Sequence, residues 1–544
     1  MTRIGLSGRA ALLIVAMVLG GSGAIDAAAR PAYRAATVTT TLIYGAAGEP
    51  DTLNPWTTVE GNTNDVAPAI FDSLLRVDAR GRLQPDLATK VEHTADGRTW
   101  TFHLRHGVRW ADGAPFTSAD VAYNYRAIFD KAHNVTNTTG WDQIDRSSTP
   151  DAYTFVCHLK AVNAPFLVNV GWSLLIPAHI YNRPGVNFNT TPFNRAPFGT
   201  GPYRVTEWMT GDHIILAPNP YSWRGQPFFT KVIYKIAPDR NSLLAQLKTG
   251  EVDMGAILPQ QVVQARGIAG KRVVTWLNNG YWHVDLTQYG FLRERAVRQA
   301  LDYATPKEAI FKGIGLGMGA IADANVSPAV GSYYNPKVPK HAFSMARAAA
   351  MLTADGFIKG SDGVLRKNSL AFAMTLWTSA GDHTGERIDQ VLRQEWGQLG
   401  IKIRLRSIGG NQIYGPDGPY FTRAMAGVTI VNANNPDPDD SLYWISAGIP
   451  KTPTDNTCCD SLAYFYRPDF QAQVDALYRA GNGAVDPVRR RAIYFKIQAL
   501  LADEAPVIFL YWETQAMALP SNLTGFVANP FLPAFATVGS WRRA

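Results

Sequence analysis

Cysteine is nearly missing from this chain, with three residues in 544, and so small a number excludes a disulfide scaffold. Cys458 and Cys459 are adjacent, so one of them can pair with Cys157, the two can form a vicinal bridge, or none pairs. Catalytic signatures are missing as well: no HExxH zinc motif, no GxSxG nucleophile elbow and no GxxxxGK[ST] phosphate loop occurs. Charged residues make up only 18% of the chain, against 46% hydrophobic, which excludes a disordered polymer. The net charge of +8 comes without a long basic run, because Lys and Arg are interspersed with Asp and Glu. A solvated basic surface follows, and nucleic-acid binding does not.

The longest apolar run near the N-terminus, residues 10–19, is too short to span a membrane as a mature helix. It follows Arg3 and Arg9 and precedes small residues through Ala24 to Ala29, the layout of a secretory signal peptide over residues 1–29. No Cys precedes Cys157, so the expectation is an exported, freely soluble periplasmic protein and not a lipoprotein. At this length two or more domains are expected.

Residues 99–105 alternate, with Trp100, Phe102 and Leu104 apolar and Thr101, His103 and Arg105 polar, which predicts a strand with one buried face. A turn at Ala111, Asp112 and Gly113 follows, and then Thr117 or Ser118 caps a helix carrying Asp120, Val121, Tyr125, Ile128 and Phe129. The wording DGRTWTFHLRHGVRWADGAPFTSADV over residues 96–121 resembles the signature of the family 5 extracytoplasmic solute-binding proteins, which include the dipeptide- and oligopeptide-binding proteins of ABC importers. A second stretch, FGTGPYRVTEWMTGDHIILAPNPYSW at residues 198–223, resembles the same family.

Further along, residues 231–236 predict a strand, Asp239 caps a helix that stops at Gly250, and a strand restarts near residue 252, the order of a βαβ unit with parallel pairing. Thr305 with Pro306 predicts a cap, Ser344 another, and Asp486-Pro487 opens a helix before the apolar strand VIFLYW, predicted to be fully buried. The resemblance implies an α/β, two-lobed periplasmic binding protein fold, type II-like, with an extra subdomain in the first lobe and the ligand cleft between lobes. Lobe I then covers residues 37–257 with the subdomain at about 57–190, lobe II covers 258–514, and 515–544 return to lobe I.

Candidate ligand contacts come from the same resemblance. The loop GAAGEPDTLNPW at 45–56 faces the cleft in this family, which nominates Glu49, Asn54 and Trp56, although Asn-Pro and Glu-Pro are also ordinary turn formers. Trp377 and His383 stand in a strand-to-helix loop, where open α/β sheets bind ligands, and His383 is equally a helix cap. Tyr281, beside Trp282 and His283, and Tyr414 offer aromatic walls, though core packing is the commoner fate of such rings. In GVTIVNANNPDPDDSLYW at 427–444, alignment on Asp437-Pro438 puts Asn434 where the family's peptide binders hold the ligand ammonium with an Asp, and Val428 where they carry a Trp. Asn434 supplies no charge, so Asp437, Asp439 or Glu49 must replace it if a free amine is bound. The alternative for Asp437, Asp439 and Asp440 is a solvated acidic turn.

The implied function is capture of a peptide or peptide-like solute for an inner-membrane ABC permease, by a monomer that needs neither cofactor nor metal. The alternatives are a non-peptide solute, such as an oligosaccharide, an opine-like compound or a metal chelate, and a secreted hydrolase.

Overall fold

The alternating stretch forms the strand Thr99–Leu104, and Trp100, Phe102 and Leu104 are its buried side. It is central in a four-stranded antiparallel sheet with Ala88–His93, Thr154–Leu159 and Ile144–Asp151. The helix Ser118–Ala127 packs on this sheet and starts with a full capping box: the Thr117 hydroxyl accepts from Ala119 N, and Asp120 Oδ2 accepts from Thr117 N at 2.9 Å. Such a cap stabilises a helix by about 1 kcal/mol. Cys157 lies in this sheet opposite Trp100 as a buried free thiol, its pKa pushed up to about 12 by burial. This computed structural model describes residues 40–58, 61–133, 135–136, 138–433, 436–448 and 468–544; the readings of the signal peptide, Asn434, Cys458 and Cys459 lie outside the described residues.

The main sheet contains, in chain order, β1 (Thr41–Ala46), β2 (Tyr203–Met209), β3 (His213–Pro218), β4 (Lys231–Ile236), β5 (Met254–Ile257), β6 (Lys271–Leu286), β7 (Gly319–Ile321), β8 (Ala373–Ser379), β9 (Lys402–Ile408), β10 (Ala426–Ala433) and β11 (Val507–Pro520). Their order across the sheet is β9-β8-β10-β6-β11-β5-β1-β4-β3-β2, with β7 alongside β11. β1 pairs in parallel with both β4 and β5, and the helix Arg240–Thr249 crosses between those two, so the βαβ reading holds. Asp239 caps that helix through Ser242 N at 2.6 Å, and Gly250 ends it at φ +77°, a conformation open to glycine at little cost.

Two long strands hold the sheet together. β6 and β11 run antiparallel through its middle, and β11 pairs with β5 through Ala516–Ala518 on one side while β6 pairs with β10 through its second half on the other. Hydrophobic cores gather on each side of this crossing. One collects Leu42, Tyr44, Phe102, Trp110 and Trp141 among others, and the other collects Val284, Leu301, Ile388, Leu392 and Trp396. Each such side chain contributes roughly 1.5–3 kcal/mol by leaving water.

One predicted feature differs. Thr305 does not cap the following helix, whose N-cap is Pro306; its hydroxyl instead donates to Leu301 O at 2.7 Å and accepts from Trp396 Nε1 at 3.2 Å. A buried hydroxyl bonds whatever donor and acceptor lie nearest, and here the nearest are tertiary.

Candidate functional site

A cavity of about 1090 Å³ opens against the β6–β11 crossing. One wall comes from the first-lobe loops: Pro55 and Trp56, then Asp65, Asp72, Arg76, Asp78 and Asp86, with Arg224 and Arg240. The facing wall is the crossing itself, with Trp276, Asn278 and Asn279 of β6 and residues 513–517 of β11. Phe531, Pro533 and neighbouring residues of the C-terminal segment complete it. The β6–β11 register jumps here: Leu277 pairs with Thr514 and Tyr281 with Trp512, so residues 278–280 of β6 face only Glu513 on β11. A bulge of this kind bends a strand and re-aims its side chains, and bulges recur beside binding sites.

Most of the cavity's acids are already partnered. Asp72 accepts from Thr200 Oγ1 and Trp223 Nε1, both at 2.9 Å, and pairs with Arg224 at 3.0 Å. The same guanidinium reaches Asp86, and it stacks 4.2 Å from the Trp223 ring centroid. Burial, reinforced by Asp72, raises the Asp86 pKa against the pull of Arg224. Asp78 is held by the backbone N–H groups of Arg80 and Arg82 and by the Arg82 side chain at 2.8 Å. Glu513 differs: Trp282 Nε1 donates to its Oε1, and no cationic group among the described residues lies within 4.0 Å.

Of the residues nominated from sequence, Trp56 lines the cavity; its indole donates to Asn124 Oδ1 at 3.1 Å and packs edge-on to Trp141. Glu49 clamps the β2–β3 hairpin, accepting from Trp208 Nε1 at 2.6 Å and from Gly211 N at 2.9 Å. Asn54 is fully buried and closes a turn by accepting from Trp56 N at 3.0 Å. Tyr281 is core, its ring 4.8 Å from Trp512 and 5.5 Å from Phe509. Trp377 and Tyr414 come together in one cluster with Tyr420 and Val428, and Arg406 lies over Trp377 at 4.5 Å. His383 is 87% exposed and meets Glu386 at 3.2 Å; the cap of its helix is Asp382, which accepts from Gly385 N.

The acidic turn is not solvated. Asp437 is buried and makes two hydrogen bonds to Arg490, at 2.8 and 2.5 Å. Burial alone would lower the Arg490 pKa; Asp437 outweighs it and holds it above the ordinary value. Asp440 accepts from Asn325, Tyr478 and Trp444, and burial still pushes its pKa up to about 6. These carboxylates face inward because Arg490 and a ring of donors satisfy them there, which local composition does not reveal.

Sequence reading did not nominate Asp72, Asp86, Arg224, Trp276 or Glu513. One signal was present for the last of these: Glu513-Thr514-Gln515 interrupts a strand that is otherwise apolar from Val507 to Trp512 and from Ala516 to Leu519. A carboxylate in so apolar a strand needs a reason.

Two cores, a sheet joined by two long crossing strands and a large cavity against that crossing define a two-lobed α/β ligand-binding protein. The chain belongs to the bacterial extracellular solute-binding proteins, family 5, whose middle region matches residues 82–452. The oligopeptide-binding protein AppA of Bacillus subtilis is 25% identical over 500 residues, covering 90% of this chain and 89% of AppA. AppA's structure with a nonapeptide superposes with a TM-score of 0.78 at 23% identity, covering 93% of this chain and 99% of that one. Protein XP55 of Streptomyces lividans is 30% identical over 468 residues, covering 85% of this chain and 82% of its own. NikZ from Campylobacter jejuni, solved with Ni(L-His), has the same fold, with a TM-score of 0.79 at 20% identity over 92% of this chain and 99% of that one. Among the described residues no helix is long and apolar enough to cross a membrane.

Proposed function

We propose that this protein is the substrate-binding component of an ABC importer, holding a peptide or peptide-like solute in the cavity at the β6–β11 crossing. The observation that carries the reading is the cavity itself. Its volume of about 1090 Å³ lies just above the roughly 300–1,000 Å³ usual for small-molecule pockets, which suits a ligand of several residues. The register jump at residues 278–280 puts strand backbone at the cavity wall, where an extended peptide can add main-chain hydrogen bonds. Lobe I (37–257, with its subdomain) and lobe II (258–514), with the return at 515–544, close over the ligand about the crossing strands. Exported with removal of residues 1–29, the monomer works freely in the periplasm and docks on an inner-membrane permease. No covalent chemistry belongs to this role.

Mass spectrometry of ligand that co-purifies with the protein, followed by thermal-shift titration with peptides of two to nine residues, tests the proposal. A bound peptide raises the melting temperature in step with the logarithm of its concentration over Kd. Stabilisation by an oligosaccharide or a metal chelate, with none by any peptide, overturns the peptide reading.

A further inference from the structure

Glu513 is set apart by its surroundings. It lies in β11 at the register jump, in the wall of the cavity. The groups that face it are the Trp282 indole of β6, which donates to Oε1, the backbone of Gly319 in β7, and Asp382 of the loop before the helix His383–Gln398, which acts on it as a like charge. No positive group among the described residues answers that charge within 4.0 Å. The cavity's Asp72, Asp78 and Asp86 each have an arginine, and Glu49 and Asp437 are committed to structural donors.

The approach to Glu513 is tightly built. Gly319 stands at φ +123°, and a Cβ there would come within 2.0 Å of Trp512 O, so β7 can lie this close to β11 only as glycine. Burial and Asp382 both raise the Glu513 pKa, and the Trp282 hydrogen bond opposes them. A carboxylate that is partly desolvated and repelled by a second one is short of a cation. We infer that Glu513 is the anchor for a cationic group of the ligand, an ammonium or guanidinium, and that it sets the preference for solutes carrying a positive charge at the end lodged against the crossing. The inference rests on the solute reading of the cavity and adds the charge of the solute.

Calorimetric titration of wild type and Glu513→Gln with tetraalanine, N-acetyl-tetraalanine and N-acetyl-Ala-Lys-Ala-Ala tests it. The glutamine keeps an acceptor for Trp282, so the variant retains its local contact. Wild type should bind at least one of the two cationic peptides about ten- to hundredfold tighter than N-acetyl-tetraalanine, the range of a charge-assisted hydrogen bond. Glu513→Gln should erase that preference, so that within the variant the ammonium-bearing peptides bind no tighter than N-acetyl-tetraalanine. No preference in wild type, which needs no folded variant to observe, overturns the inference; so does a preference that survives in the variant, or equal weakening of all three. If no peptide binds wild type, the peptide reading falls by itself, and spermidine and arginine amide become the probes. Stabilisation of wild type but not of Glu513→Gln then sustains the assignment, and stabilisation of neither protein, or of both equally, overturns it.

Discussion

Asp437 and Glu513 are two carboxylates with opposite company. Asp437 is enclosed with Arg490, which reaches it with two hydrogen bonds and also lies over the rings of Tyr494 and Tyr333 at 5.1 and 5.6 Å. Glu513 sits in the wall of a large cavity with an indole donor and a like-charged neighbour. Both break an otherwise apolar or proline-stiffened setting, and by residue type they are interchangeable. An acid near a cleft is therefore read through its partners: Asp437 is neutralised by its own cation, whereas Glu513 has a single neutral donor and a like charge beside it.

The largest effect is expected at Arg490. Arg490→Met strands the buried Asp437 charge and should cost about 3–5 kcal/mol in denaturant unfolding, whereas Asp437→Leu combined with Arg490→Met should recover most of it; a loss under 1 kcal/mol for the single variant would mean the pair is not the scaffold element described here. Asp389 is the opposite case. Among the described residues no cation pairs with it; it accepts from the Thr378 and Thr429 hydroxyls, and burial pushes its pKa up to about 7. Between the ordinary carboxylate range and pH 7 the native state therefore binds the extra proton, so stability falls as pH rises through that window. Asp389→Asn should flatten this slope, by about 2 kcal/mol between pH 4 and pH 8; melting curves whose pH dependence is unchanged would contradict the assignment.

Smaller effects follow on the exposed side. Glu49→Ala removes the acceptor of Trp208 and Gly211 and should cost about 1–2 kcal/mol. Solute affinity should be unaltered if the clamp is all that Glu49 provides, and a tenfold loss of affinity would return it to the ligand. His383→Ala, at a side chain that is 87% exposed, should shift stability by less than about 0.5 kcal/mol. Any measurable loss of binding there would place His383 in the closed cleft.

Much of the fold was legible because its signals are local. The alternation at Thr99–Leu104, the capping box at Thr117 and Asp120, and the Asp239 cap with its Gly250 stop are all decided within a few residues. Thr305 was misread as a cap because its partners, Leu301 O and Trp396 Nε1, include one 91 residues away. The site was legible only in part. Trp56 reaches the cavity, whereas Trp377, Tyr281 and Tyr414 fill cores, since a large aromatic in a strand or turn looks the same in sequence whichever side it faces.

By itself the sequence determined the class of fold, the run of strands and capped helices, and the family, because periodicity, capping and a gapless motif are properties of neighbouring residues. Tertiary structure alone decided which charges are answered. Asp437 meets Arg490 across 53 residues of chain, and Trp282 meets Glu513 across 231. Whether a carboxylate is fully satisfied depends on the cations and donors that folding brings within a few ångströms, and no local pattern encodes those distances.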